Sequence, residues 1–228
     1  MQSVFDQAFE CHTAPPAVMD QLWAAGWRHF GTTFFRYSLQ VDESGMRQIT
    51  PLRLDLARFT PSKSQRRVLR KNADLRCEFV PAELSEEARS MFERHKVRFL
   101  DNVPDDLETF FSPEPATVPC ECVECRVWAG ETLVALSFLD LGARATSAVY
   151  GVFDPGHSRR SLGIYTMLKE IEFSRQRGCL FYYPGYATRE PSAYDYKKQF
   201  RGLEILHWSS GQWQSLDHEL QCEQAESP

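Results

Sequence analysis

A dense run of basic residues is the first feature of this sequence that suggests chemistry. The chain carries a formal net charge of −5, yet five cations fall within nine positions: Lys63, Arg66, Arg67, Arg70 and Lys71. Ser62 and Gln65 form the S-x-x-Q pattern of a capping box, which predicts that a helix begins here. Like charges four residues apart on a helix repel each other by about 0.2 to 0.5 kcal/mol per pair. The run therefore predicts either an anion-binding helix face or a solvated face balanced by acids elsewhere.

The segment DPGHSRRSLGIY is a second candidate anion site, because it leads into a predicted helix. Free N–H groups at a helix N-terminus attract anions, and Arg159, Arg160 and Ser161 lie at this one. Arg160, Gly163 and Tyr165 also match R-x-x-G-x-G/A, the pyrophosphate loop of CoA-dependent acetyltransferases, except that Tyr165 takes the place of the last small residue. The bulky ring disfavours acetyl-CoA. A plain helix cap with Tyr165 in the core explains the same residues.

Three of the 7 cysteines are closely spaced in the segment PCECVECRVW. Their C-x-C-x-x-C spacing is compatible with the start of a zinc or iron–sulfur site, but a fourth ligand is not evident. In a strand, Cys122 and Cys125 point to opposite faces, so they cannot share an ion without a bend. We interpret Cys120, Cys122 and Cys125 as buried, inert thiols and expect no metal site.

Asp140 is a candidate for proton chemistry. It ends a predicted strand face that contains Val134, Leu136 and Phe138. An acid in that phase can hold the ammonium group of an acceptor or relay its proton. The alternative is a turn residue at the end of a strand.

The elements that position these residues begin with a small α+β unit, predicted over residues 1–76. Residues 17–25, AVMDQLWAA, have helical spacing and stop at Gly26. A strand, TTFFRYSLQV, a polar turn over residues 42–45 and a second strand over residues 49–56 follow. The basic helix ends this unit.

Residues 77–228 are predicted to form a second, larger domain. A helix with Ser85 as its N-cap is expected over residues 85–100, and a loop over residues 101–119. CVECRVWAG, TLVALSFLDLG and SAVYGVFDPG then indicate an antiparallel meander, followed by a buried helix, the strand CLFYYPGY and two short strands. This order predicts an α/β chain with a fold related to the N-acetyltransferases (GNAT-like).

Composition excludes several classes of protein. The chain has 228 residues, 43% of them hydrophobic, which is enough for one sizeable core or two small ones. No apolar window approaches the roughly 18 residues of a membrane span, and the start lacks the basic and then apolar order of a secretory signal. Seven cysteines without a regular framework suit a reducing compartment. We therefore predict a cytoplasmic protein with no membrane partner.

Four segments carry a family resemblance: FTPSKSQRRVLRKN, VYGVFDPGHSRRSLGIYTMLKEIEF, LFYYPGY and YDYKKQF. Together and in this order, they resemble the aminoacyl-tRNA–protein transferases, which are the arginyltransferases and bacterial leucyltransferases of the N-end rule pathway of protein degradation. MDQLWAAGWRHFGTTFFRY is similar to the N-terminal region of the same family. The resemblance implies a GNAT-like catalytic domain, an aminoacyl-tRNA as donor of Leu or Arg, and the N-terminal amine of a protein as acceptor. No cofactor and no DNA partner are implied.

The resemblance also implies roles for particular residues. Phosphates of the tRNA acceptor arm are the anions expected at the basic residues, because duplex RNA is held chiefly through its backbone. The predicted tRNA-binding residues are Lys63, Gln65, Arg66, Arg67, Arg70, Lys71, Arg159, Arg160 and Ser161. Tyr183, Tyr186, Tyr196 and Lys197 match the family segments Y-x-G-Y and Y-x-Y-K, and with Asp140 they are the predicted catalytic residues. Their hydroxyl and ammonium groups are expected to line the ester or bind the terminal adenosine, with core packing as the alternative for each tyrosine.

One departure from the family concerns cysteine. The family usually carries closely spaced cysteines between the FFRY strand and the PSKSQRR segment, associated with metal or cluster binding in some members. Here that stretch is SGMRQITPLRLDLARF, so a thiolate site cannot be carried over and metal-linked regulation is not expected. Two alternatives stay open: a CoA-dependent N-acyltransferase, against which Tyr165 counts, and a non-catalytic relative that binds tRNA or peptide.

Overall fold

The computed structural model describes residues 4–42, 45–99, 103–192 and 195–216. The helices of these residues are α1 (Pro16–Ala24), α2 (Lys63–Lys71), α3 (Glu86–Lys96) and α4 (Leu162–Gln176). The strands are β1 (Asp6–Glu10), β2 (Arg28–Phe30), β3 (Thr33–Tyr37), β4 (Leu39–Asp42), β5 (Gly45–Asp55), β6 (Arg76–Pro81), β7 (Cys122–Ala129), β8 (Thr132–Leu141), β9 (Ala145–Phe153), β10 (Phe181–Thr188), β11 (Leu203–His207) and β12 (Gln212–Ser215). Short 3-10 segments are Leu107–Phe110, Pro155–Arg160 and Asp195–Gln199.

The larger sheet has the strand order β12-β11-β5-β10-β9-β8-β7-β6, with β4 paired to the first residues of β5. Strands β6 to β9 form an antiparallel meander. β10 lies parallel to β9, because α4 supplies the crossover that a parallel neighbour requires. On its other side, β10 pairs with β5. One sheet therefore joins strands from both sides of residue 76, and the division into units 1–76 and 77–228 stays a prediction about folding units.

A smaller sheet, in the order β1-β3-β2, stands beside the large one. Its aromatic side chains stack on each other, as Phe9 does on Phe34 with ring centroids 5.1 Å apart. Its edge strand β2 carries Arg28 and His29 to the large sheet, where each makes polar contacts. The small sheet thus delivers two charged or titratable side chains to the centre of the fold.

Helices α4 and α1 cover opposite faces of the large sheet. Leu168 and Ile171 of α4 are buried in a core cluster that includes Tyr182. Trp23 of α1 is buried in another cluster that includes Tyr183. Adjacent residues of a strand point to opposite faces, which explains why Tyr182 and Tyr183 join different clusters. Among the described residues, no helix is both long and apolar enough to cross a membrane.

Local sequence signals located the helices well. The hydroxyl of Ser62 accepts the N–H of Gln65 at 3.3 Å, and the side chain of Gln65 accepts the N–H of Ser62 at 2.9 Å, so the capping box at the start of α2 is confirmed. Ser85 likewise accepts the N–H of Ala88 at 3.2 Å and caps α3. The expected end of α3 near residue 100 was too late, because the helix ends at Lys96.

The strand predictions were less complete. Strands β1, β2 and β6 were not predicted, since they are short or lack alternating hydrophobicity. The predicted strand TTFFRYSLQV is two strands, β3 and β4, which separate at Ser38. The predicted loop over 101–119 contains a 3-10 segment. Residues 43–44 of the predicted turn and the tail from residue 217 lie outside the described residues.

Candidate active site and RNA-binding surface

An opening between β9 and β10 is the centre of the candidate active site. The two strands pair only through residues 145–147 and 181–183. β10 then bulges and resumes pairing with β5, with Gly185 opposite Leu52. Gly185 has a φ of 101°, which glycine adopts far more readily than other residues. The parallel strands therefore separate beyond residue 147 and leave a gap in the sheet.

Arg28 enters this opening from the small sheet. Its guanidinium donates hydrogen bonds to the hydroxyl of Ser147, the last residue of β9 paired with β10, and to the carbonyl oxygen of Ala148. Burial lowers the pKa of Arg28, and the charge of Asp140 opposes that effect. Arginine is so basic that it stays protonated in proteins. The opening thus holds one fixed positive charge.

Lys197 brings a second cation to the same place. A Cβ on Gly185 would lie 3.4 Å from the Nζ of Lys197 and 3.9 Å from an Nη of Arg28, so both cations converge on this glycine. Burial lowers the pKa of Lys197 to about 8, and the charge of Arg28 acts in the same direction. A lysine with that pKa can gain and lose a proton at the pH at which an enzyme works.

Glu170 of α4 is the buried acid of the site. It is 1% exposed, and the hydroxyl of Tyr182 donates to its Oε2 at 2.5 Å. Burial raises the pKa of Glu170 to about 7, while this hydrogen bond and the charge of Lys197 oppose the rise. Lys197 and Glu170 therefore both change protonation near neutral pH.

Asp140 lies beside the opening, and its carboxylate is held there by His29. It is buried, and it sits opposite Ser147 across β8 and β9. Its Oδ2 is 2.8 Å from the Nε2 of His29, and the Nδ1 of His29 is 2.9 Å from the carbonyl oxygen of Gly31. Both ring nitrogens of His29 are therefore occupied, and the position of Asp140 suits an electrostatic or positioning role better than contact with an acceptor.

The predicted tyrosines do not all reach this place. Burial raises the pKa of Tyr186, and the charge of Arg28 opposes that rise; the Tyr186 hydroxyl donates to the carbonyl oxygen of Gly26 at 2.6 Å. Tyr196 is half-buried and packs against the core cluster that contains α4. The ring of Tyr183 packs between Trp23 and Trp213 on the opposite face of the sheet. We therefore leave Tyr183 out of the proposed catalytic group.

Helix α2 presents cations to solvent. Lys63, Arg67 and Arg70 are spaced i, i+4 and i+7, which places them on one helix face. All three are exposed, and their side chains form no hydrogen bond or ion pair with the described residues. Val68 and Leu69, on the opposite side, pack against the core. The charged face is thus unneutralised within the described part of the chain.

The C-terminal end of α2 is tied to the loop that precedes α4. Lys71 donates to the carbonyl oxygen of Arg159, and the amide of Asn72 donates to that of Arg160 at 2.9 Å. Arg160 also forms a two-bonded ion pair with Asp74, with both distances 2.9 Å. The basic helix and the loop therefore form one continuous surface, in which the charge of Arg160 is already paired.

The remaining predicted anion-binding residues differ in exposure. Arg159 is exposed, as is Ser161, which has a left-handed φ of 55° and makes no capping hydrogen bond. Gln65 is 4% exposed and occupied by the capping box, so it supports α2 and does not face a ligand. Arg66 is exposed but donates to the carbonyl oxygen of Pro61 at 2.6 Å. Tyr165 is buried in the core and therefore says nothing about cofactor choice.

The cysteine-rich segment does not form one site. The Sγ of Cys125 lies 3.1 Å from that of Cys77 on the neighbouring strand. Cys122 is buried in a different core cluster, as alternation along a strand predicts. Cys120 instead lies near His29 and Asp140.

Arg28, His29 and Glu170 were not identified as site residues from the sequence. The first two lie in WRHF, a three-residue strand too short to show a period. A signal for Glu170 does exist: Thr166, Glu170 and Ser174 are spaced i, i+4 and i+8 and are all buried. An acid buried in such a stripe is a candidate site residue, because burial shifts its pKa.

The meander, the crossover helix and the gap between two parallel strands define a GNAT-like acyltransferase fold. The C-terminal domain of a putative lysylphosphatidylglycerol synthetase from Agrobacterium fabrum shares it, with a TM-score of 0.52 at 14% identity, over 81% of this chain and 55% of that one. FemX shares it with a TM-score of 0.52 at 9% identity, over 96% of this chain and 74% of that one. Identities this low show the fold alone.

The chain belongs to the arginine-tRNA-protein transferase family. The family model of the N terminus matches residues 2–67, and that of the C terminus matches residues 77–207. The aspartate/glutamate leucyltransferase of Marinobacter nauticus is 35% identical over 203 residues, which are 86% of this chain and 81% of that protein. The enzyme of the same name from Thiobacillus denitrificans is 30% identical over 85% of this chain and 79% of its own length. The resemblance found in the sequence is confirmed, and the protein is an aminoacyltransferase.

Proposed function

We propose that this enzyme transfers leucine from leucyl-tRNA to the N-terminal amine of proteins that begin with Asp or Glu, and so marks them for N-end rule degradation. The names of its relatives support this donor and these acceptors. The observation that carries the proposal is the gap between β9 and β10, into which Arg28 and Lys197 both project. Such a gap can admit the aminoacyl ester at the 3′ end of a tRNA.

The basic surface supports the tRNA part of the proposal. Lys63, Arg67 and Arg70 form a cationic face without internal partners among the described residues, and Arg159 extends it. Duplex RNA is held mainly through phosphates and 2′-hydroxyls, so such a face suits the acceptor arm. The loop of Arg159 leads directly into α4, which also carries Glu170. The surface that holds the arm thus continues toward the site of transfer.

The transfer step needs a neutral amine, a place for negative charge and a proton carrier. The amine nitrogen of the acceptor attacks the ester carbonyl, a C–N bond forms, and the C–O bond to the ribose breaks. One proton must leave the amine, and one must reach the ribose oxygen. Lys197, with its pKa lowered to about 8, suits both steps: neutral, it accepts the proton of the amine, and protonated, it returns that proton to the leaving oxygen.

Arg28 supplies the fixed charge of this mechanism. The attack places negative charge on the carbonyl oxygen, and a preorganised cation stabilises it without needing to reorient. The hydrogen bonds of Arg28 to Ser147 and Ala148 hold the guanidinium in the gap. Its charge also lowers the pKa of Lys197, so one residue stabilises the oxyanion and adjusts the base.

Transfer of labelled leucine from tRNA to peptides with varied first residues tests the proposal. We expect transfer to peptides that begin with Asp or Glu. Lys197→Arg should lose roughly 10² to 10⁴-fold in rate, because an arginine does not release a proton. The matched control is Lys198→Arg, because the neighbouring Lys198 pairs with Asp195 at 2.9 Å. Small amines in solution should restore part of the activity of Lys197→Ala.

Two results would count against the proposed reaction, and a third against the role of Lys197. Transfer of an acetyl group from acetyl-CoA, with no transfer from any charged tRNA, would indicate the CoA-dependent alternative. Binding of tRNA without transfer would indicate a non-catalytic relative. Full activity in Lys197→Arg would remove the proton role of Lys197 but leave the reaction itself in place.

A further inference from the structure

Three side chains with different ligand atoms meet beneath Arg28. A ring nitrogen of His29, the Sγ of Cys120 and a carboxylate oxygen of Asp140 all lie within 4.8 Å of one another. Each residue is buried, at 6%, 4% and 3% exposure respectively. They come from β2, from the residues just before β7, and from β8. Because the three residues are far apart in sequence, no local motif predicts that they meet.

The hydrogen bonds of His29 indicate that something positive belongs between it and Asp140. Its Nδ1 is 2.9 Å from the carbonyl oxygen of Gly31, and a carbonyl only accepts, so Nδ1 carries the hydrogen. In neutral imidazole, Nε2 then has a lone pair, and this atom faces the carboxylate of Asp140 at 2.8 Å. Either a proton or a metal ion has to separate the two lone pairs. A backbone carbonyl that fixes the far nitrogen is also the usual outer partner of a metal-binding histidine.

We propose that His29, Cys120 and Asp140 bind a divalent ion of the zinc class, contrary to the absence of a metal expected from the sequence. Zn²⁺ prefers this mixture of imidazole, thiolate and carboxylate ligands, with bonds of about 2.0 to 2.3 Å. Donor atoms within 4.8 Å of one another can close around one ion through small side-chain rotations. Three protein ligands leave the fourth tetrahedral position open.

When the ion binds, the thiol of Cys120 loses its proton to solvent and coordinates the ion as a thiolate. In the metal-free protein a cysteine thiol is protonated at neutral pH, because the ordinary pKa of a thiol is about 8.5. A bound cation reverses this balance, because a coordinating thiol loses its proton outright. Metal uptake is therefore accompanied by proton release, which gives a readout independent of aminoacyl transfer.

The ion would fix the small sheet to the large one. His29 follows Arg28 on β2, and Asp140 lies opposite Ser147, which accepts a hydrogen bond from Arg28. A bond through the ion therefore holds Arg28 in register with the gap between β9 and β10. This consequence rests on the proposed function, whereas the binding of the ion does not.

Metal content and cobalt spectroscopy test the site. The protein is purified without an immobilised-metal column and titrated with Zn²⁺ alone or Co²⁺ alone. We expect uptake of one equivalent, proton release on binding, and a thiolate-to-cobalt charge-transfer band. Cys120→Ser should lose that band and weaken binding by more than the roughly 10-fold to 100-fold that loss of an outer partner of a ligand costs. Cys179→Ser, a half-buried thiol outside the cluster, should keep both.

The outcomes are decisive even if Cys120→Ser folds poorly. A wild-type protein that takes up no Co²⁺ at micromolar concentration, or takes it up without a thiolate band, overturns the proposal. A folded Cys120→Ser variant with an unchanged band also overturns it. Circular dichroism of each variant establishes whether it is folded.

Discussion

Removal of the three unpartnered cations of α2 should weaken tRNA binding without harming the fold. The variant replaces Lys63, Arg67 and Arg70 by Ala together. None of these side chains contacts another described residue through a hydrogen bond or ion pair. Alanine also has the highest helix propensity, and repulsion between Lys63 and Arg67 disappears. The variant should therefore be at least as stable as the wild type.

The salt dependence of binding gives the magnitude. Each phosphate contact contributes about 0.9 to the slope of log K against log salt for a duplex, so three contacts contribute about 2.7. A fourfold rise in salt, from about 50 to about 200 mM, then reduces the affinity ratio of wild type to variant by roughly 40-fold. The slope of the variant should be shallower than that of the wild type by the same 2.7, approximately.

Filter binding or fluorescence anisotropy with uncharged tRNA over this salt range measures both quantities. The matched control replaces Arg144, Arg175 and Arg177 by Ala, which removes the same charge from exposed positions away from α2. The control should keep the slope of the wild type. Equal slopes for wild type and the α2 variant would refute the assignment, because they would mean that no phosphate contact was lost.

Three further changes test the site and its support. The folded wild type binds an extra proton at Glu170, whose pKa is raised, so its free energy of unfolding should fall as pH rises from about 4.5 to about 7, by up to about 3 kcal/mol. Glu170→Gln should lack this fall; urea unfolding at several pH values measures it, and parallel curves for the two proteins would exclude it. Ser62→Ala should cost about 1 kcal/mol in the free energy of unfolding, since the capping box is lost; no measurable change would show that α2 does not depend on its cap. Gly185→Ala should lower leucine transfer, because a φ of 101° is strained for alanine and displaces the backbone beside the Nζ of Lys197, whereas Gly130→Ala, with φ 59° in the left-handed region and open space around it, should stay active.

Local sequence signals predicted the features that depend on contacts between residues close together in the chain. The cap at Ser62 involves atoms three residues apart, so the start of α2 follows from the local sequence alone. The strands of the meander are connected by short turns, and their apolar residues alternate or run continuously, so β7 to β9 were predicted in the correct order. The exposed cations of α2 were found for the same reason, since charge on a helix surface needs no tertiary partner to be recognised.

Contacts between distant segments were not predictable in this way. Arg28 and Ser147 are 119 positions apart, and nothing in either local sequence specifies the pair. The pairing of Arg160 with Asp74 likewise depends on how α2 packs near α4, and it removes a charge that the sequence offers as free. Burial then changes the chemistry: Lys197 and Glu170 are ordinary surface residue types whose pKa values move toward neutrality only inside the fold.

The position of β5 has a consequence for how the protein is made. β5 lies between β10 and β11, both of which are synthesised more than a hundred residues later. At roughly 5 to 20 residues per second, the ribosome exposes β5 for on the order of ten seconds before β10 emerges. During that interval most of its backbone hydrogen-bonding groups are unpaired on both edges, and Leu52 and Leu54 lack their core partners. The exposed edges of β5 make the nascent chain prone to aggregation, and a chaperone that bound β5 would prevent it. A chain truncated before residue 181 cannot complete the large sheet.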